Sequence, residues 1–452
     1  MGISVRADIK SSCSWEVCRS YSEQLEGWYR VGNGSRRCFS SGSKTVTTQL
    51  SVLSLFTGVG GLDYGFEAAG FETRVALEFD HQCCKSLRAS RNWPVLEADL
   101  LDTPTKEILK AGGLRAGAVD VLIGGPPCQP FSKSGWWKNG SSLRLDDPRA
   151  STLSGYLRVL EEVRPKAFLL ENVEGLGFSG KDEGLKLLLA AVERINASTK
   201  SRYRPVVITL NAADYGVPQT RTRVFVIASR DGRRFVTPSP THAEVGNKAA
   251  GVERWMTAWD AIGGSVPRTD EDLAISGKWA DLLPSIPEGM NYLWHTDRMG
   301  GEPLFGWRRR YWNFLLKLAK DRPAWTIQAQ PGPATGPFHW TNRKLSAQEL
   351  ARLQTFPKDI VITGGRTEVQ RQIGNAVPSL LGEILARAMR EQFFDKPVRE
   401  TPRLAVRRRR GCPVSEVVAP VPTKYLALAG DHVPHPGTGR GFLYASAPME
   451  LA

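Results

Sequence analysis

Histidine and cysteine are scarce in this 452-residue sequence, six and seven residues respectively, and neither is arranged for metal binding or cross-linking. Cysteines 13, 18, 38, 83, 84, 128 and 412 form an odd, scattered set with no Cys-x-x-Cys, which excludes a regular disulfide framework and predicts reduced thiols. Cys13, Cys18 and Cys38 have no histidine near them, so no metal site is expected. There is no apolar run long enough to span a bilayer. The first residues, MGISVRADIKSSCSWEV, lack the apolar stretch and small-residue cleavage site of a secretory signal, which predicts a cytoplasmic location. Acidic residues are also in deficit: 46 against 60 basic ones leave a net charge of +14. That surplus suits a polyanionic partner, although the Arg407–Arg410 run places part of it in a tail.

What is present is a hydrophobic fraction of 41%, ordinary for a globular protein, on a chain too long for a single compact core. A large domain with a smaller companion is therefore predicted. Residues 1–49, rich in Ser, Gly, Arg and Cys, read as a disordered extension. From residue 50 to 234, apolar strand-like runs (Ser51–Phe56, Arg74–Leu77, Val119–Ile123, Ala167–Leu170, Val206–Leu210, Val224–Ala228) alternate with helix-like segments such as Leu62–Ala69 and His81–Ser90. Such alternation predicts an α/β fold, a parallel sheet covered by helices on both faces. Residues 235–342 hold eight of the thirteen tryptophans with many Pro, Gly and Arg and no sustained alternation, which reads as a separate loop-rich module. Between 343 and 395 helical signals return. Ser346-Ala-Gln-Glu349 is a capping box opening Ala347–Gln354, and Leu380–Phe394 follows Pro378. The tail 396–452, rich in Pro and Arg, is expected to lack structure.

The first strand leads into Phe56-Thr-Gly-Val-Gly-Gly-Leu62. Glycines 58, 60 and 61 allow the backbone to turn tightly against a ligand, and the helix that follows offers free amides to a carboxylate or other anionic group. Glu78 ends the second strand about 20 residues on, where an acidic side chain commonly binds ribose hydroxyls. Asp99 ends the next apolar stretch and is placed to accept a hydrogen bond from an adenine amine. Together these point to a nucleoside-bearing ligand at successive strand ends, with the spacing compatible with NAD as well as other nucleoside cofactors.

Val119–Ile123 then runs into Gly124-Gly125-Pro126-Pro127-Cys128, a turn that the prolines stiffen at the carboxyl edge of the sheet. A thiol there is poorly placed to be buried packing and well placed to be a nucleophile. Glu171 follows another apolar run directly, and Arg221 and Arg223 precede the last strand-like run.

With these segments in hand the chain resembles the DNA (cytosine-5)-methyltransferase family of the bacterial restriction-modification type. The segments that carry the resemblance, over about 50–395, are Phe56-x-Gly-x-Gly, Glu78, Asp99, Pro-Pro-Cys128-Gln, Glu171-Asn-Val, Gln-x-Arg221-x-Arg223, Arg343-Lys-Leu-Ser with Glu349-Leu-Ala-Arg-Leu-Gln, and Gln372-Ile-Gly-Asn375-Ala-Val-Pro. The resemblance implies a Rossmann-like domain using S-adenosylmethionine, with the tryptophan-rich stretch as a target-recognition domain. It implies cofactor contacts from Phe56 (stacked on adenine), Gly58, Gly60, Gly61, Leu62, Glu78 (ribose), Phe79, Asp99 (adenine amine), Leu100, Pro127 and Asn375. Cys128 would add to cytosine carbon 6, Glu171 would contact N3 and the exocyclic amine, and Arg223 would grip the carbonyl oxygen with Arg221 supporting it. Ser132, Ser134 and Arg149 would contact DNA around a flipped base, although Trp136–Asp146 departs from the family's usual loop. In the recognition module Arg308, Arg309, Arg310, Trp312 and Lys317 are candidate DNA contacts, most tryptophans being expected in its core. The implied partners are double-stranded DNA and a cognate restriction endonuclease or other defence protein, with the enzyme a monomer. A tRNA cytosine-5 methyltransferase on the same scaffold and a non-catalytic DNA-binding regulator are the competing readings. The long 235–342 segment favours DNA, and the retention of Cys128, Glu171 and both arginines favours an enzyme.

Overall fold

The computed structural model describes residues 49–127, 151–173, 183–244, 251–308 and 311–432. Expectations that concern residues 1–48, Cys128, Ser132, Ser134, Arg149, Arg309, Arg310 and 433–452 lie outside the described residues.

Seven strands form the central sheet: β1 (Leu50–Leu55), β2 (Phe71–Glu78), β3 (Val95–Glu97), β4 (Val121–Gly124), β5 (Ala167–Asn172), β6 (Val206–Asn211) and β7 (Thr222–Ser229), in the order β3-β2-β1-β4-β5-β7-β6. Both faces are covered, which is why the inner strands are apolar throughout rather than alternating. Val52, Val121 and Leu169 face a core shared with helix α1 (Gly61–Ala68). Leu53, Leu122 and Leu170 face the opposite core. After α2 (His81–Ser90) and α3 (Thr105–Ala111), α4 (Ser151–Val163) and α5 (Glu183–Thr199) complete that second core.

The chain winds outward from β1 to β3, then returns to β4 on the other side of β1, which leaves a crevice at the carboxyl ends of β1 and β4. One expectation is corrected here. The sheet is not wholly parallel, because β7 runs antiparallel to both β5 and β6. Only ten residues, 212–221, separate β6 from β7, too few for a crossover helix. The reversal brings the start of β7 to the same edge as the end of β5, with Glu171 opposite Phe225 and Asn172 opposite Val224.

The second half of the chain closes on this frame through α6 (Ala258–Ile262), α7 (Ala347–Leu353), α8 (Arg366–Asn375) and α9 (Ser379–Phe394). The capping box at Ser346 forms as its sequence requires: Ser346 Oγ accepts from Glu349 N–H at 3.2 Å, and Glu349 Oε2 accepts from Ser346 N–H at 2.8 Å. Helix α9 lies against α1 so closely that a Cβ on Gly65 would sit 2.5 Å from the Ser379 carbonyl oxygen. A third core joins Val59 and Tyr64 to Ala258, Leu318, Ile327, Leu350 and Ile373, so parts of the tryptophan-rich stretch pack directly against the glycine loop and α1. A fourth core, around Leu282, Ile286, Tyr292, Leu315 and Phe338, lies within that stretch.

The segment after α9, expected to lack structure, is laid across the fold as far as His432. Three buried carboxylates hold it by its backbone. Glu383 accepts from the Arg403 and Leu404 amides (2.8 and 2.9 Å), Asp260 from the Arg409 amide (2.7 Å) and Glu288 from the Glu416 amide (2.8 Å). Lys320, itself buried, bridges Glu288 and Glu416 at 2.7 and 2.9 Å. Tyr425 then inserts into the fourth core, stacked on Trp279, with its hydroxyl donating to the Lys278 carbonyl. Composition misled here because extended Pro-rich chain can be ordered by side chains supplied from elsewhere in the fold.

Candidate active site

Every element that ends at the crevice contributes to one cavity of about 540 Å³. The β1–α1 loop supplies Phe56, Gly58, Gly61 and Leu62, the end of β2 supplies Glu78 and Phe79, and Asp99 follows β3. The β4 turn supplies Gly125, Pro126 and Pro127, β5 supplies Glu171, β7 supplies Arg223, and α8 supplies Asn375. These thirteen positions meet because the parallel strands β1 to β5 deliver their carboxyl ends to the edge at which the antiparallel β7 begins.

The glycine-loop half is held by Glu78. Its carboxylate accepts the Gly58 amide at 2.6 Å and the Asp80 amide at 2.8 Å, which fixes the loop to the end of β2. Burial raises the Glu78 pKa above the usual carboxylate range, partly offset by those two N–H donors. Phe56 adopts φ 53°, the left-handed region that a bulky side chain rarely enters, and it lines the cavity with Gly58 at φ 57°. Backbone strain of this kind is typical of a loop shaped for a ligand.

In the other half Glu171 Oε1 lies 2.9 Å from Arg223 Nε, each side chain 13% exposed. Burial raises the Glu171 pKa, opposed by the charges of Arg223 and Arg221. Gly125 allows this arrangement, since a Cβ there would stand 2.8 Å from Glu171 Oε2. Buried Asn172 ties the neighbouring turn down by donating to the Pro126 carbonyl (3.4 Å) while its own Oδ1 takes the Val173 amide (2.7 Å).

Three expected contacts do not line the cavity. Arg221 is buried beneath it, donating to the carbonyls of Ile327 (3.2 Å) and Gly374 (2.7 Å). It therefore positions the start of β7 against α8 instead of touching a ligand. Leu100 is buried in the second core, 1% exposed. Gly60 caps α1 with φ 85°, its position filled on one side by Leu87 and Tyr64. In the tryptophan-rich stretch Lys317 is also buried, 3% exposed, whereas Trp312 is half exposed against Trp325. Residues that the sequence reading passed over do line the cavity: Asp63, Asp80 and Arg371. Asp80 caps α2 through the Cys83 amide and pairs with Arg371 at 2.7 Å. The Asp-His-Gln-Cys run was a legible helix cap, but its union with α8, nearly 300 residues away, was not.

Residues 50–391 match the C-5 cytosine-specific DNA methylase family. The chain belongs to this family. Among curated relatives, the Type II methyltransferase M.SacI of Streptomyces achromogenes is 43% identical over 378 residues, covering 76% of this chain and 94% of its own. The Type II methyltransferase M.NgoFVII of Neisseria gonorrhoeae is 34% identical, covering 76% and 87%. Among solved structures, a variant of Spodoptera frugiperda DNMT2 shares the fold with a TM-score of 0.53 at 15% identity, covering 75% of this chain and 99% of its own. This methyltransferase is thus a DNA (cytosine-5)-methyltransferase, built on the Rossmann-like α/β sheet expected of it. No helix among its described residues is long and apolar enough to cross a membrane.

Proposed function

We propose that the enzyme methylates carbon 5 of a flipped-out cytosine in a specific sequence of double-stranded DNA, through a covalent adduct between Cys128 and carbon 6. The observation that carries this reading is the pairing of Glu171 and Arg223 in the cavity that the glycine loop and Glu78 also line. One end of the cavity is suited to a nucleoside and the other to a base with an amidine-like edge. S-adenosylmethionine, the family's cofactor, supplies an electrophilic methyl group on a sulfonium sulfur. The strained Phe56, the Glu78 carboxylate and the open Gly58 fit its adenosine, with Asp99, Phe79, Leu62, Pro127 and Asn375 around it.

The chain's own residues then perform the base chemistry. Carbon 5 of cytosine is a weak nucleophile until the Cys128 thiolate adds to carbon 6 and breaks the ring's conjugation. Glu171, whose pKa is raised by burial, is suited to share a proton with N3 as electron density moves onto the ring. Arg223 steadies the carbonyl oxygen, held in register by its pair with Glu171 and by the buried Arg221 behind it. After methyl transfer, loss of the carbon 5 proton expels the thiolate. The base must leave the duplex to reach this cavity, with Ser132, Ser134 and Arg149 assigned to the surrounding DNA. Residues 235–342 would read the target sequence, and the modification would protect DNA from a partner nuclease, the setting that the Type II relatives suggest.

Transfer of labelled methyl groups to duplex DNA, with tRNA as the comparison substrate, tests the reading. Transfer confined to tRNA would overturn the DNA assignment, and unchanged DNA methylation by Cys128→Ser would overturn the adduct. Bisulfite sequencing of DNA from cells that express the protein would give the target sequence.

A further inference from the structure

Five carboxylates line the cavity: Asp63, Glu78, Asp80, Asp99 and Glu171. Four have strong partners. Glu78 accepts two loop amides, Asp80 takes the Cys83 amide and Arg371, Asp99 accepts the Leu101 amide at 2.9 Å, and Glu171 pairs with Arg223. Asp63 is different. It is 1% exposed and interacts with its own amide and the hydroxyls of Ser54 and Thr73, the latter at a long 3.5 Å. Among the described residues no basic side chain pairs with it. Burial, the largest influence, pushes its pKa up to about 7, as expected of a carboxyl that has been taken out of water without a cation.

Its position narrows what that cation is. Asp63 stands in the first turn of α1, and Gly61, Leu62 and Asp63 of that turn line the cavity together with Gly58 and Val59 of the glycine loop. Ser54, which hydrogen-bonds Asp63, lines the cavity too and receives the Thr57 hydroxyl at 3.0 Å. An α-amino acid carries its carboxylate and its ammonium on one carbon. A ligand that places the carboxylate against amides of this turn therefore brings its ammonium within a few ångströms of the same turn.

We infer that Asp63, with the Ser54 hydroxyl, is the counter-charge for the α-ammonium at the amino-acid end of the cofactor. The inference rests on the assignment of this cavity to S-adenosylmethionine and extends it to a residue that the glycine-loop pattern does not include. Occupation of the site by an ammonium returns Asp63 to its ionised form, so cofactor binding removes a penalty that the free enzyme carries.

Calorimetry with S-adenosylhomocysteine and its analogue lacking the α-amino group tests this without turnover. Wild-type protein should prefer the amino-bearing ligand by roughly ten- to hundredfold, the value of a buried charge-assisted hydrogen bond. Asp63→Asn, and Asp63→Ser as a second variant if the first does not fold, should abolish that preference while leaving the affinity for the analogue nearly unchanged. Equal binding of both ligands by wild type, or equal weakening of both by the variants, would overturn the inference and leave Asp63 as a support of the loop. Absence of any binding of S-adenosylhomocysteine to wild type would overturn the cofactor assignment along with it.

Discussion

Glu171 Oε1 and Arg223 Nε, 2.9 Å apart in the cavity, belong to neighbouring strands that run in opposite directions. Their meeting depends on that reversal, because a parallel β7 would have carried Arg223 to the far edge of the sheet. Each side chain leaves the other a buried, unpaired charge when removed, which costs about 3–5 kcal/mol in such settings. Arg223→Ala is therefore expected to lower urea-derived stability by that order and to reduce methyl transfer by at least about 10². Comparable turnover in Arg223→Ala and wild type would remove Arg223 from the reaction.

Gly125 gives a gentler probe of the same pair. Gly125→Ala pushes a methyl group to 2.8 Å from Glu171 Oε2, the mobile end of a side chain, so the fold should survive while the carboxylate is displaced. We expect a fall in DNA methylation of on the order of tenfold or more with unchanged affinity for S-adenosylhomocysteine. A loss of cofactor affinity as large as the loss of rate would show that the turn governs both halves of the cavity.

Acid sensitivity should trace in part to His339. Burial lowers its pKa to about 4 from an ordinary 6.5, and its Nδ1 accepts the Thr341 amide at 3.1 Å. A depressed folded pKa means that the neutral form is favoured in the native state. The associated stability is complete above about pH 6.5 and is lost as pH falls towards 4, by up to about 3 kcal/mol. Urea unfolding of His339→Asn at pH 7.5, 5.5 and 4.5 should show a shallower decline than wild type. Parallel curves would mean that another group sets the acid limit.

The strap from residue 396 to 432 should prove essential to the fold. Tyr425→Ala removes a buried ring stacked on Trp279 and is expected to cost about 3 kcal/mol or more. A chain ending at Lys396 would leave Glu383, Asp260 and Glu288 without the strap's amide donors, at about 1–3 kcal/mol each. Melting of that truncated chain within a degree or two of the full chain would show that these bonds contribute little.

The sequence alone determined the family of the protein and the local patterns from which its site is proposed. Pro-Pro-Cys128 after an apolar run, Glu171 at a strand end, the glycine loop and the Ser346 capping box are local patterns, in which the neighbours along the chain are also the neighbours that matter. Tertiary structure decided everything that depends on distant neighbours. Arg221 and Arg223 alternate identically in sequence, yet one is sealed against Ile327 and Gly374 while the other reaches the cavity. Asp63 looks like any acidic residue in a first helical turn until β1 and β2 close over it. The Pro- and Arg-rich strap has no apolar periodicity of its own, because its order comes from carboxylates and aromatic rings that the rest of the chain provides. Patterns of side chains report the burial of an element's own face. They do not report which charges another element will bring to it.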